Sequence, residues 1–384
     1  MIEMRSRLKR GAAVTVDAAL GVLAPRIVRG RPAVAIPPHP RVLLVRCDHI
    51  GDLVMATAVL EPLRAVLQPS RLDVLVGPWA APLLVGHPLV DDVIVYATPW
   101  WSAARGAGGG SRLRALGRLP GVIRRLRAAR YDVGIDLRGD LRQIFFFLAL
   151  GGCLERVSTD RTGGRRLLTR VWPFDPSLHD VEKNAAIVGM LGAHRSTRLA
   201  PPALPALPPS LVQELTSASG PRGFVVVATR GTEENRTWPT GHAIRFVNDA
   251  RAGLGLGTVY VGGLADRPSG DAIAAGGAPL LNLAGRTTLT ETVGVMARAA
   301  SVVAVDSGPM HLAALAGVSI VALFGPGDPR QCRPWAASTR IATTGAPCGC
   351  IHARCDVHAG PGRCMIALAP ELVLSELKVL LDTT

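Results

Sequence analysis

Residues 302–327 read VVAVDSGPMHLAALAGVSIVALFGPG. The run 302–305 is apolar at every position, as in a strand buried on both faces. Asp306-Ser307-Gly308 interrupts it with turn chemistry, and Pro309 suits the first turn of a helix. A helix is predicted over 309–316, ended by Gly317, and Ile320–Phe324 reads as a second buried strand. Strand, helix and parallel strand in so short a span form a βαβ unit. The same alternation extends outward. Strands are predicted at Phe224–Ala228 and 258–261, with helices at 242–252 and 289–299. Upstream, Arg41–Arg46, 72–77, 93–96 and 132–136 read as strands, with helices at 51–67, 80–86 and 113–130. Such alternation predicts an α/β fold of doubly wound parallel sheets with helices on both faces.

The chain has 384 residues, enough for two domains. Residues 199–210, LAPPALPALPPS, hold five prolines, which can continue neither a helix nor a central strand. The expected layout is therefore an extension at 1–40, a Rossmann-like domain at 41–198, a linker at 199–210 and a second Rossmann-like domain at 211–384. A composition 48% hydrophobic and 19% charged excludes a disordered chain. The net charge of +14 is uneven. Residues 1–198 carry 29 basic and 16 acidic side chains, whereas residues 199–384 carry 14 and 13. Of the 43 basic residues 40 are Arg, whose planar forks match phosphate and carboxylate. No apolar run approaches the ~20 residues needed to span a bilayer, and 20–24 is too short for a secretory signal. A cytoplasmic protein is expected, its seven Cys being thiols or metal ligands.

In the extension, Arg5, Arg7, Lys9 and Arg10 precede an apolar stripe through Val14, Ala18, Leu20, Val22 and Leu23, and Arg26, Arg29 and Arg31 follow it. A basic amphipathic helix of this kind lies on an anionic membrane surface, or else packs on the fold as a structural tail.

Four clusters carry candidate chemistry. Arg46-Cys47-Asp48-His49-Ile50-Gly51-Asp52 follows the first strand, where α/β proteins place ligands. Asp52 is a candidate general base, or a mere helix cap with Asp48 pairing Arg46. The absence of GxGxxG counts against a dinucleotide site. Asp306, Ser307, Gly308 and His311 surround a predicted helix N-terminus suited to an anion. Singly, Ser307 reads as a plain N-cap and His311 as a packing residue. Arg230, Thr232 and Arg236 follow the strand Phe224–Ala228 and suit a diphosphate, or are solvated loop residues. Asp266 stands beyond the next strand and is taken as part of the same donor-side rim. Finally, Cys348, Cys350, Cys355 and Cys364, with His352 and His358 between, have a CxC spacing unlike paired CxxC zinc sites, so no metal is assigned.

Taken in order, these motifs resemble family nine glycosyltransferases, the ADP-heptose:lipopolysaccharide heptosyltransferase family. The likeness rests on RVLLVRCDHIGDLVMATAVLEPLR at 41–64 and VDSGPMHLAALAGVSIVALFGPGDP at 305–329, with weaker support from YDVGIDLR at 131–138, from 179–192 and from Cys364-Met365. The resemblance implies the GT-B architecture, two Rossmann-like domains facing a cleft. Acceptor would bind the first domain, near Arg46, Asp48 and Gly51, and nucleotide sugar the second. It implies an inverting transfer with Asp52 as base and no catalytic metal. Arg236, Asp306, Ser307, Gly308, His311, Thr232 and Asp266 would hold the donor, with ADP-heptose expected. Arg236 stands where relatives often have Lys. The basic half then suits an acidic, lipid-linked glycan acceptor and an anionic membrane surface, giving a cytoplasmic protein peripheral on the inner membrane face. Two other classes remain: an epimerase-like nucleotide-sugar enzyme, and a basic nucleic-acid-binding protein. The low aromatic content and lack of any helix-turn-helix or RRM signature argue against the latter.

Overall fold

The computed structural model describes residues 35–101, 109–193, 198–277, 279–345 and 362–383. The chain divides into two compact units, the first ending at Pro202 and the second starting at Ala203.

The first unit is a six-stranded parallel sheet. β1 (Arg41–Arg46), β2 (Arg71–Val76), β3 (Asp92–Val95), β4 (Val133–Asp136), β5 (Glu155–Thr159) and β6 (Arg170–Trp172) lie in the order β3-β2-β1-β4-β5-β6. Val42–Val45 are fully enclosed, which explains why β1 shows no polar alternation. The helices in this unit are α1 (Ile50–Ala56), α2 (Leu60–Leu67), α3 (Gly109–Ala129) and α4 (Asp180–Gly189).

Several local expectations change. The single helix read at 51–67 is split by a 3-10 turn at Thr57–Val59. Pro62 is the physical reason, because it has no N–H to offer Ala58 and its ring crowds that carbonyl. The helix read at 80–86 shrinks to a 3-10 turn at Ala81–Leu83. The apolar segment Ile144–Ala149 forms a π-helical turn. β5 and β6 are strands that the apolar pattern does not reveal, because β5 buries charged side chains. Glu155 accepts from Thr169 Oγ1 at 2.7 Å and pairs Arg170 at 3.3 Å, while Arg156 donates to the carbonyls of Leu167, Cys153 and Leu154.

The second unit repeats the design. It holds α5 (Pro209–Ala218), β7 (Phe224–Ala228), α6 (Thr240–Leu254), β8 (Gly257–Tyr260), α7 (Arg267–Ala274), β9 (Leu280–Asn282), α8 (Leu289–Met296), β10 (Ser301–Val305), α9 (Gly308–Ala316), β11 (Ile320–Phe324), β12 (Thr339–Thr343) and α10 (Pro370–Asp382). The last two residues of the expected linker, Pro209 and Ser210, are already helical, since proline is well placed in a first turn. The core joins Val225, Val227, Phe246, Tyr260, Val303 and Leu377. Trp238 is buried in it and donates from Nε1 to Leu368 O at 2.9 Å.

The second sheet runs β12-β11-β10-β7-β8-β9, which is the strand order of the first sheet read from its other edge. Both are the doubly wound order in which the chain reverses direction between the first and fourth strands. Ligands bind at that switch point, beyond the strand C-termini. Topology thus selects two places, the ends of β1 and β4 and the ends of β7 and β10.

Candidate active site

At the first switch point Val45 is in register with Asp136, so the segments after β1 and β4 leave the sheet side by side. Arg46 lies between them and is 5% exposed. Its Nε meets Asp48 Oδ1 at 2.9 Å, one terminal nitrogen meets Asp52 Oδ1 at 3.1 Å, and the other donates to Leu137 O at 2.8 Å. Arg138, from the turn after β4, donates to Asp48 Oδ2 at 2.7 Å and stands 4.0 Å from Asp52 Oδ2. Its guanidinium lies 3.8 Å above the Trp101 ring, whose edge meets His49. Trp79 Nε1 fastens the loop from behind by donating to Asp48 O at 2.5 Å.

Asp52 sits in the first turn of α1, where its Oδ2 accepts the His49 N–H at 3.2 Å. Gly51 beside it is buried. The capping reading of this cluster therefore holds: Arg46 pairs Asp48 and Asp52 caps the helix, while the Asp52 side chain remains 18% exposed. Burial would raise the Asp52 carboxyl, but Arg46, Arg138 and the His49 N–H outweigh it and hold the group well below the usual carboxylate range. Burial pushes the Asp48 carboxyl up, against Arg46 and Arg138. The two carboxyls are driven in opposite directions, Asp52 downward and Asp48 upward.

Asp136, at the end of β4, is fully buried. It accepts from Gly139 N at 2.7 Å, Asp140 N at 3.3 Å and Ser158 Oγ at 2.9 Å, which folds the turn bearing Arg138. Gly139 has φ +71°, a conformation that favours glycine there. Burial pushes the Asp136 carboxyl up to about 7, with Asp140 adding to the rise.

At the second switch point Ala304 is in register with Ala228, and the loops after β10 and β7 again run together. Arg236 pairs Asp306 Oδ2 at 3.1 Å, and the Cys332 thiol stands 3.8 Å from Asp306 Oδ1. A Cβ on Gly327 would collide with the Asp306 carboxylate, so that loop approaches only as glycine. Ser307 is extended and donates from Oγ to Val305 O at 3.0 Å, so it does not cap α9 with its side chain. Ser307 is the N-cap residue, as read, but its hydroxyl has turned back to the strand. The start of α9, with Gly308 and the buried His311 in its first turn, receives no side-chain cap from Ser307.

Arg230 is not a free loop residue, since it pairs Asp266 at 3.3 Å, and Asp266 accepts Gly263 N at 2.8 Å. Thr232 stands exposed in the loop after β7. The structure thus joins Arg236 to Asp306 and Arg230 to Asp266 as separate pairs. Arg138, Trp101 and Asp136 were missed as site residues. The available signal was their position at strand ends, Arg138 and Asp136 flanking the end of β4 beside β1. Cys348, Cys350, Cys355, His352 and His358 lie outside the described residues, as do residues 1–34 of the basic extension. Cys364 is buried. Among the described residues no cluster of three His, Cys, Asp or Glu could hold a metal ion.

The family model for glycosyltransferase family 9 (heptosyltransferase) matches residues 121–358. Lipopolysaccharide heptosyltransferase 2 of Salmonella typhimurium is 27% identical over 367 residues, covering 89% of this chain and 99% of the relative. Lipooligosaccharide heptosyltransferase 2 of Haemophilus influenzae is 25% identical over 360 residues, 88% and 99% of the two chains. In fold, the chain is similar to Escherichia coli ADP-heptose lps heptosyltransferase II, with TM-score 0.69 and 23% identity over 89% of this chain and 99% of that one. It is also similar to the family 9 glycosyl transferase of Veillonella parvula, with TM-score 0.72 and 19% identity over 92% and 100%.

Proposed function

Because the chain belongs to glycosyltransferase family 9 (heptosyltransferase), we propose that this glycosyltransferase moves heptose from ADP-heptose, with inversion, to a hydroxyl of an acidic, lipid-linked lipopolysaccharide acceptor. The donor reading is supported by the names of its relatives. The observation that carries the mechanism is Asp52, an anionic carboxylate with an open edge at the first switch point.

In this reading the acceptor hydroxyl donates to Asp52 and attacks the anomeric carbon from the face opposite the diphosphate. A carboxylate as acidic as Asp52 is a weak base. Proton transfer therefore follows C–O bond formation, when the attacking oxygen has itself become acidic. Arg46 and Asp48 fix Asp52 in place. On the donor side, Arg236, His311 and the start of α9 at Gly308 meet the departing diphosphate, with the Thr232 hydroxyl beside it. Each preorganised donor of this kind supplies roughly 2.7–4 kcal/mol at the transition state. Asp306 cannot usefully face a diphosphate, so it aims Arg236 and accepts from sugar hydroxyls. Asp266 holds Arg230 in the same way. Ser307 shapes the turn, and no metal is required. None of the helices among the described residues is long and apolar enough to cross a membrane. The basic first half would bring the enzyme to the anionic face where a lipid-linked acceptor lies.

The test is incubation with ADP-heptose and heptose-deficient lipopolysaccharide. The expected result is one added heptose by mass spectrometry, with stoichiometric ADP. Consumption of a GDP- or UDP-sugar in place of ADP-heptose would overturn the donor assignment. Retained anomeric configuration would overturn the mechanism.

A further inference from the structure

Beside Asp52 the first unit has a small indentation formed by the ends of β1, β4 and β5 and the start of α4. Its wall carries the cations Arg46, Arg138, Arg161 and Lys183 against the carboxylates Asp52 and Asp180. Arg46 and Arg138 are spent on Asp48 and Asp52. The other side of the wall is built differently. Lys183 is only 9% exposed, with its ammonium 2.8 Å from Asp180 and 5.5 Å from the Phe174 ring. The Arg161 guanidinium lies 4.9 Å from the same ring. Asn184 is 1% exposed, lines the indentation, and its Nδ2 has no hydrogen-bond partner.

A buried amide donor without a partner is costly, so its retention beside the indentation points to a ligand that completes it. Asp180 occupies one of the three donors on Lys183, which leaves protons for a second acceptor. Lys183, Arg161 and Asn184 Nδ2 offer only donors, two of them cationic, and an oxyanion matches them in both charge and acceptor character. We propose that this indentation is a subsite for an oxyanion of the acceptor, a carboxylate or a phosphate, recognised by Lys183, Arg161 and Asn184. The subsite rests on the glycosyltransferase reading above and adds to it the residues that select the acceptor. Anchoring an anion there fixes the neighbouring hydroxyl against Asp52, which is the orientation the reaction requires. A neutral analogue offers the two cations no charge to meet and is disfavoured.

The test is steady-state transfer from ADP-heptose to heptose-deficient lipopolysaccharide by the wild-type chain and by Lys183→Gln, Asn184→Ala and Arg161→Gln. The half-buried Arg161 gives a variant whose folding is least at risk. The expected result is a KM for acceptor raised roughly tenfold or more in each, the loss of a charge-assisted hydrogen bond, with KM for ADP-heptose unchanged and kcat nearly so. Inorganic phosphate should compete with acceptor in the wild type and more weakly in the variants. Enzymatically dephosphorylated acceptor and carboxyl-amidated acceptor separate the two sources, since only one of them should abolish the difference between wild type and variants. Wild-type KM values in all three variants, or phosphate competition equal in all four proteins, would mean that water alone fills the indentation and would overturn the subsite. An equal fall in kcat with both KM values unchanged would reduce these residues to structural ones and overturn it as well. Failure of the wild type to transfer heptose would instead count against the proposed function.

Discussion

The two switch points share a strand order and present opposite charges. At β1 and β4 the Asp52 side chain is 18% exposed and its partner Arg46 only 5%. At β7 and β10 the Arg236 side chain is 23% exposed and its partner Asp306 only 9%. Arg138 is the more open cation of the first site, but it is committed to Asp48 and stacked on Trp101. The first site therefore offers a carboxylate held by arginines, and the second an arginine held by a carboxylate beside a helix start. One scaffold thus exposes a carboxylate in one unit and a guanidinium in the other, because the loops decide which partner is left facing outward.

Removing the outward-facing member of each pair should break the contrast most sharply. Asp52→Asn keeps the shape and loses the base, so turnover should fall by ~10² or more while ADP affinity is retained. Near-normal transfer by a folded Asn variant would remove Asp52 from this role. Arg236→Ala should weaken donor binding by roughly 10- to 150-fold, the range for a charge-assisted hydrogen bond. Ser307→Ala should weaken it less, because that hydroxyl is already turned to Val305. Calorimetric titration with ADP measures both, and equal losses would contradict the difference drawn between them.

The carboxyls of the first unit should also separate by pH. The Asp136 group is raised to about 7, so the stability tied to its protonated form is complete below about 4 and is lost as pH rises towards 7. The slope is on the order of 1.4 kcal/mol per pH unit at most. Asp52 is lowered, so its contribution is present at neutral pH and is lost only as pH falls below the ordinary carboxylate range. Denaturant unfolding between pH 4 and 7 should show the wild type losing stability relative to Asp136→Asn, and parallel curves would reject the assignment.

Smaller effects are expected at the surface. Binding to anionic vesicles should exceed binding to neutral ones, fall with salt and weaken on deletion of residues 1–40, at ~1 kcal/mol per basic residue near the surface. α3 should contribute, since Arg112, Arg118, Arg124 and Arg125 are exposed on it and it carries no acidic residue. Equal sedimentation of full-length and truncated chains with both vesicle types would leave the extension a structural tail. Chelation with EDTA should leave transfer unchanged, and a strict divalent-ion requirement would contradict a metal-free mechanism.

Much of this was legible in the residues alone. Parallel strands buried on both faces advertise themselves as apolar runs, so β1, β7, β10 and β11 could be placed together with the turns that follow them. Asp52, Asp306 and Gly308 were found because turn chemistry at a strand end is a local signal. What lay beyond sequence was whatever depends on a neighbour distant in the chain. β5 satisfies Glu155 through Thr169 and Arg170, and Arg156 in part through Leu167, all 11 to 15 positions further on, so its charged pattern does not read as a strand. Arg138 reaches Asp48 across 90 residues only because β4 lies beside β1. The pairing of Arg230 with Asp266 and the unmatched amide of Asn184 were likewise decided by packing. Backbone propensity acts over a few residues, whereas the partner a charge finds is fixed by which strands the fold brings together.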